Sequence, residues 1–134
     1  MTNEQIVRDF FEEVWNDGQL DRIGEYCSAD YAVYFLGATE PARGTDMVLL
    51  GVQAWHTGFE DWEETVEDLF SDGDRVVVRW RASGTHTGDF AGVAPTGRHM
   101  ELAGIDILRL VDGRIADHWS QCDITGFIQR LREA

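Results

Sequence analysis

A carboxylate and an imidazole, Asp106 and His118, stand where strand packing residues are expected. The stretch RIADHWSQCD, residues 114–123, alternates like a β-strand yet carries Asp117, His118, Ser120, Gln121 and Asp123 around Trp119. In HMELAGIDILRL, Asp106 shares one strand face with Met100, Leu102, Leu108 and Leu110. In RVVVRWRASGTH, His86 is in register with Val76, Val78, Trp80 and Ala82. Carboxylates and imidazoles hold and move protons, and burial raises a carboxylate pKa toward general acid–base work. Each also has a structural reading. Asp106 could anchor a loop or an arginine, and His118 and His86 could be hydrogen-bonded core histidines. Asp123 stands where an N-cap for a last helix belongs.

The hairpin that carries these groups turns at Asp112-Gly113. A three-residue loop with Gly113 in the left-handed region would set Leu110 opposite Arg114 and Asp106 opposite His118. A tight two-residue turn would set Asp106 opposite Trp119 and point His118 outward. The first is favoured because it gives a buried acid a partner. Ser120 and Cys122 then follow on the inner face.

The elements that position the hairpin read as helices first and strands after. TNEQ offers Thr2 as an N-cap, with Gln5 completing a capping box. Ile6, Val7, Phe10, Phe11 and Val14 follow at helical spacing, and Gly18 lies in the expected stop region. A short helix is expected over 20–26, a strand over YAVYFLG, and a third helix after Thr45, weakened by Gly51. The remainder reads as long antiparallel strands with Asp-Gly turns at 72–73 and 112–113, closed by a short helix in ITGFIQRLREA. This order predicts an α+β architecture, with helices on one face of a curved sheet and a pocket at the open mouth. Most of the five tryptophans should be core. Trp15 and Trp119, with Tyr34, are the aromatic candidates for a flat ligand.

Composition narrows the function classes. The 134 residues and 43% hydrophobic content predict a single domain over 1–134. There are 25 acids against 11 bases, and every base is arginine. A net charge of −14 argues against nucleic acid and anionic membrane surfaces. Salt adaptation would explain the acid excess, and a GC-rich genome would explain the missing lysine. The first fifteen residues do not read as a signal peptide, so a cytoplasmic location is expected. Cys27 and Cys122 read as small buried hydrophobes, and the four histidines lack ligand spacing, so no metal is expected. Phosphate-binding loops, nucleophile elbows and HExxH are also missing.

VWNDGQLD, GTHTGDFAGVAPTGR, GIDILRLVDGRIADHW and the closing DITGF resemble the SnoaL-like polyketide cyclase family of the NTF2-like superfamily. The resemblance covers roughly residues 4–131. It implies an α+β cone, usually a homodimer, and a cofactor-free aldol ring closure of a polyketide ester by an acid–base aspartate. Related members are hydroxylases, isomerases or epoxide hydrolases. Where relatives often read His-Trp-Asp, this chain reads His118-Trp119-Ser120, so the family aspartate falls at Ser120. The first strand also lacks a histidine often found there. The expectation is therefore a small-molecule enzyme in which Asp106 is the acid or base and His118 and His86 orient it or polarise a carbonyl. Ser120 donates a hydrogen bond to a hydrophobic, carbonyl-bearing substrate. The alternative is a non-catalytic ligand-binding or association domain, which the missing aspartate favours.

Overall fold

The computed structural model describes residues 1–133. Helix α1, Asn3–Asp9, starts on the expected capping box, with Thr2 accepting from the Gln5 backbone N–H. It continues without a break as a π-helical segment, Phe10–Asn16. The expected apolar face, Ile6, Val7, Phe10, Phe11 and Val14, is buried. The expected second helix is a 3₁₀ turn, Leu20–Arg22, running into a short α2, Ile23–Tyr26. Helix α3, Asp46–Gly58, forms as expected, but the Thr45 side chain makes no cap hydrogen bond. Gly51 has a packing role there: a Cβ at that site would stand 2.9 Å from the Trp15 ring. Helix α4, Ile124–Arg132, is capped by Asp123, which accepts from the Gly126 backbone N–H at 3.0 Å.

Among the described residues, six strands form one sheet in the order β2-β1-β6-β5-β4-β3. They are β1 Cys27–Phe35, β2 Ala42–Arg43, β3 Glu63–Asp72, β4 Arg75–Thr85, β5 His99–Val111 and β6 Arg114–Cys122. The sheet is antiparallel except that β1 runs parallel to β6. The sheet curves around the helices without closing, and its inner face holds the core. The phases of β4 and β5 are those expected. Val76, Val78, Trp80 and Ala82 are buried with Met100, Leu102, Leu108 and Leu110, and Asp106 is buried among them.

The turns differ from expectation. The β3–β4 turn is Gly73-Asp74, with Asp72 paired to Arg75. The β5–β6 turn is the tight two-residue form: Val111 pairs with Arg114, and Asp112 and Gly113 have φ of 51° and 78°. Positive φ at both central residues marks a type I′ turn, whose twist matches the strands. The three-residue loop is therefore not formed. Unrelieved, this turn would turn His118 outward. A bulge relieves it: Leu110 faces Ile115, Arg109 faces Asp117, and Ala116 is the extra residue between them. Beyond the bulge Leu108 faces His118 and Asp106 faces Ser120. His118 thus reaches the inner face by a route the turn alone does not provide.

Candidate active site

Asp106 and His118 are 4% exposed, and each finds partners. His118 Nε2 lies 2.7 Å from Asp106 Oδ2, and Tyr31 Oη lies 2.8 Å from His118 Nδ1. One imidazole tautomer serves both contacts, with Nε2–H donating to the carboxylate and Nδ1 accepting from the tyrosine hydroxyl. Burial, then the Cys27 thiol and Asp106, push the Tyr31 hydroxyl well above its ordinary range, so it remains a donor. Asp106 Oδ1 accepts from Trp80 Nε1–H and from Ser120 Oγ–H, both at 3.0 Å. The carboxylate is therefore held by three side-chain donors from β4 and β6.

Trp80 reaches Asp106 because its cross-strand partner on β5 is Gly104. A Cβ at Gly104 would collide with the indole and with the Gln121 carbonyl. Glycine inside a strand commonly marks such a close approach.

The cluster forms part of the wall of a cavity of about 300 Å³, a size that suits a small organic ligand. Phe11, Trp15, Trp55, Trp62 and Phe90 make much of the remaining wall, and Trp55 and Trp62 stack at 4.2 Å. Glu64, half-buried on β3, also lines it. Burial and the Asp106 charge push its carboxyl up to about 8, opposed by a hydrogen bond from Trp62. The Cys122 thiol lines the cavity too, pushed up to about 11 by burial and then by Asp106, which leaves it a thiol at neutral pH.

Of the residues expected at the site, Asp106, His118, Ser120 and Trp15 meet at this cavity. Three do not. Trp119 and Tyr34 are partners across β1 and β6 and stack on each other at 5.2 Å, in the strand phase opposite to His118 and Ser120. His86 is fully buried beside Phe59, and its Nδ1 lies 3.0 Å from Thr96 Oγ1 and accepts from the Thr96 backbone N–H. It makes no contact with Asp106 and instead pins the end of the loop that carries Phe90. His86 Nε2 has no hydrogen-bond partner among the described residues.

Sequence reasoning misses Tyr31, Trp80 and Glu64 as site residues. The signal that finds them is the alternation already used for β5. Tyr31 is in phase with Val33, and Glu64 is in phase with Trp62 and Val66.

A curved sheet around an apolar cavity, with a buried carboxylate and imidazole in its wall, defines a pocketed α+β protein equipped for proton transfer. The family model for the SnoaL-like polyketide cyclase matches residues 5–131, and the chain belongs to that family. Aklanonic acid methyl ester cyclase AcmA of Streptomyces galilaeus is 29% identical over 123 residues, covering 90% of this chain and 85% of AcmA. A SnoaL-like polyketide cyclase candidate from Jannaschia sp. CCS1 superposes with a TM-score of 0.87 at 25% identity, covering 98% of this chain and 92% of that one. AclR, a hydroxylase candidate from Streptomyces galilaeus, superposes at 0.85 with 27% identity, covering 98% and 82%. The fold is thus the NTF2-like cone of this family, a scaffold whose members differ in chemistry.

Proposed function

We propose that this protein is a cyclase that closes a ring in a hydrophobic, carbonyl-bearing ester by acid–base chemistry alone. The observation that carries the reading is the buried Asp106 carboxylate, held by three donors at the wall of an apolar cavity. A carboxylate has about four acceptor sites, so about one remains for a substrate proton. Asp106 takes the proton from a carbon beside a carbonyl, and the resulting carbanion attacks a second carbonyl of the same molecule. His118 holds the acid in place and can share the proton gained. Its Nδ1 can donate to Tyr31 Oη as readily as it accepts, so an imidazolium is also accommodated. AcmA, whose name records a methyl ester cyclase, supports an ester as the substrate class.

Ser120 supports the reading rather than weakening it. By the resemblance it stands where family members often carry an aspartate, and its direct partner on the neighbouring strand is Asp106. The two side chains are hydrogen-bonded at 3.0 Å. Asp106 thus places a carboxylate in the space beside the Ser120 position. Asp106→Asn keeps the shape and removes the titrating group, so turnover of a cyclisable ester such as aklanonic acid methyl ester should fall by about 10²-fold or more. His118→Ala should also lose activity, and the two losses should not add. Retained turnover in Asp106→Asn would make the acid structural and end the reading. Ser120→Asp probes the same point in reverse, since it puts an acid at the position where the resemblance implies one.

The same reading includes a homodimer formed by the outer sheet face. Ile105, Ile107 and Val111 are 50%, 37% and 43% exposed there, a row of the kind that usually marks an association surface.

A further inference from the structure

The cavity contains a second acid that the Asp106 cluster does not use. Glu64 stands on β3, two strands from Asp106, with Trp80 on the strand between them. Across β4, Glu64 is in register with Leu102, four residues along β5 from Asp106. With strands about 4.8 Å apart and a rise of about 3.3 Å per residue, the two side chains leave the sheet about 16 Å from each other on a diagonal through Trp80. Both line the same cavity. A substrate lying over the Trp80 ring would have one acid at each end.

Glu64 is held in place by its main chain. Asn16, the last residue of the π-helical segment, accepts from the Glu64 N–H at 2.7 Å and donates to the Glu64 carbonyl at 2.8 Å. Its side chain is less occupied: Trp62 Nε1–H is a long 3.4 Å from Oε2. Among the described residues no arginine lines the cavity, so no fixed cation holds Glu64 as an anion. The titratable groups that share the cavity are Asp106, His118, Tyr31 and Cys122. The helix side offers the neutral Asn16 and Trp15.

We propose that Glu64 is the general acid of the ring closure, giving its proton to the acceptor carbonyl oxygen while Asp106 takes the carbon-bound proton. This rests on the cyclase reading above. The carbon–hydrogen bond breaks, and its electron pair forms the new carbon–carbon bond to the acceptor carbonyl. The carbonyl π pair moves to oxygen, which takes the Glu64 proton. The products are the cyclic alcohol, the Glu64 carboxylate and a protonated Asp106. Solvent exchange returns the proton from one acid to the other, so atoms and charge balance over the cycle. Burial and the Asp106 charge keep Glu64 protonated below about pH 8, the state that a donor needs.

Two measurements on the full chain test this. The first is carbon NMR of glutamate side-chain carboxyls across a pH titration, with Glu64→Gln assigning the signal. One carboxyl should titrate near pH 8 and vanish in the variant. If Glu64 titrates in the ordinary carboxylate range, the inference is overturned whatever happens to the cyclase reading. The second is the pH profile of turnover on aklanonic acid methyl ester. Glu64→Gln should lower kcat by about 10²-fold and abolish the alkaline fall near pH 8. A merely structural glutamate would leave the shape of that profile unchanged. If Asp106→Asn is inactive while Glu64→Gln keeps the rate and the alkaline fall, the acid role is wrong and the cyclase reading stands. A wild type inert on this ester counts against the cyclase reading, and the titration then decides whether Glu64 is a proton donor at neutral pH.

Discussion

On one face of β5, Leu102, Asp106, Leu108 and Leu110 are buried; on the other, Ile105, Ile107 and Val111 stand in solvent. Chemically the two faces are inverted. The buried face carries a carboxylate and, through β6, an imidazole, while the exposed face carries large aliphatic side chains. Each inversion is unfavourable alone. A buried charge must be compensated by partners, and an exposed apolar row must be covered or tolerated. On the inner face the compensation is visible in the three donors to Asp106. On the outer face Tyr34 and Trp119 stack, and Arg79–Asp68, Arg81–Glu67 and Arg109–Asp117 pair, yet the β5 aliphatics stay open. These face-specific departures from ordinary patterning are what the proposed chemistry within and the proposed association without would require.

Neighbouring positions on β5 separate the two faces most sharply. Asp106 and Ile107 are adjacent in sequence and point to opposite faces. Asp106→Asn should lower turnover by about two orders of magnitude or more. Ile107→Ser should leave turnover within about twofold, as usual for a surface change away from the site. Its effect should appear in light scattering, as a shift from dimer toward monomer. A wild-type chain that is monomeric at every concentration would remove the association half of the comparison.

A stability pair comes next. Phe59 is fully buried, with Trp55, Trp62, Phe90 and Phe127 around its ring at 5.3–5.9 Å. Phe70 is 58% exposed. In chemical denaturation Phe59→Ala should cost about 3–5 kcal/mol, and Phe70→Ala no more than about 0.5 kcal/mol. Equal losses would mean that the outer row is packed in solution.

This contrast also shows what can be read from sequence. Strand alternation is enough to bury Asp106 and His86 and to expose Ile105 and Ile107, because period two survives wherever strands run straight. The pairing of His118 is harder. The Asp112-Gly113 turn is local and encodes a tight hairpin, but Ala116 carries no mark of a bulge. The bulge is selected by tertiary context: without it, Asp106 would lose His118 as a partner. Tyr34 shares the phase of Trp119 and so faces away from the pocket, while Tyr31, with no motif around it, supplies the hydroxyl at His118. Alternation places His86 inward but not remote from Asp106, since phase gives the face and not the distance along it. The parallel β1–β6 pair joins segments far apart in sequence, and no local signal encodes that.

The inner face should also show in the pH dependence of stability. The Glu64 carboxyl rises from 4.5 to about 8 on folding. Between these values the native chain holds more protons than the unfolded chain. The contribution is therefore full below about pH 4.5 and is lost as pH rises toward 8, at up to about 1.4 kcal/mol per pH unit. The difference between wild type and Glu64→Gln in chemical denaturation at pH 5, 6, 7 and 8 isolates this group. The wild type should lose stability relative to the variant as pH rises. Parallel curves would place Glu64 in a water-like setting.

The smallest expected effect separates surface charge from buried charge. The Arg79–Asp68 contact is 2.6 Å, but both side chains are more than half exposed, and such pairs are worth about 0.2–1 kcal/mol. Added salt weakens them. It also screens the mutual repulsion of a chain with net charge −14, which acts over the whole surface. Between 0.1 M and 1 M KCl the screening length falls from about 10 Å to about 3 Å, while the buried Asp106–His118 contact is screened much less. Repulsion involves more charges than the few pairs do, so thermal midpoints should rise by about a few degrees over this range. The rise should be the same in Asp106→Asn, because the inner carboxylate is shielded from the added ions. A flat or falling midpoint would mean that the repulsion does not outweigh the outer pairs, and the acid excess would then not be an adaptation to salt.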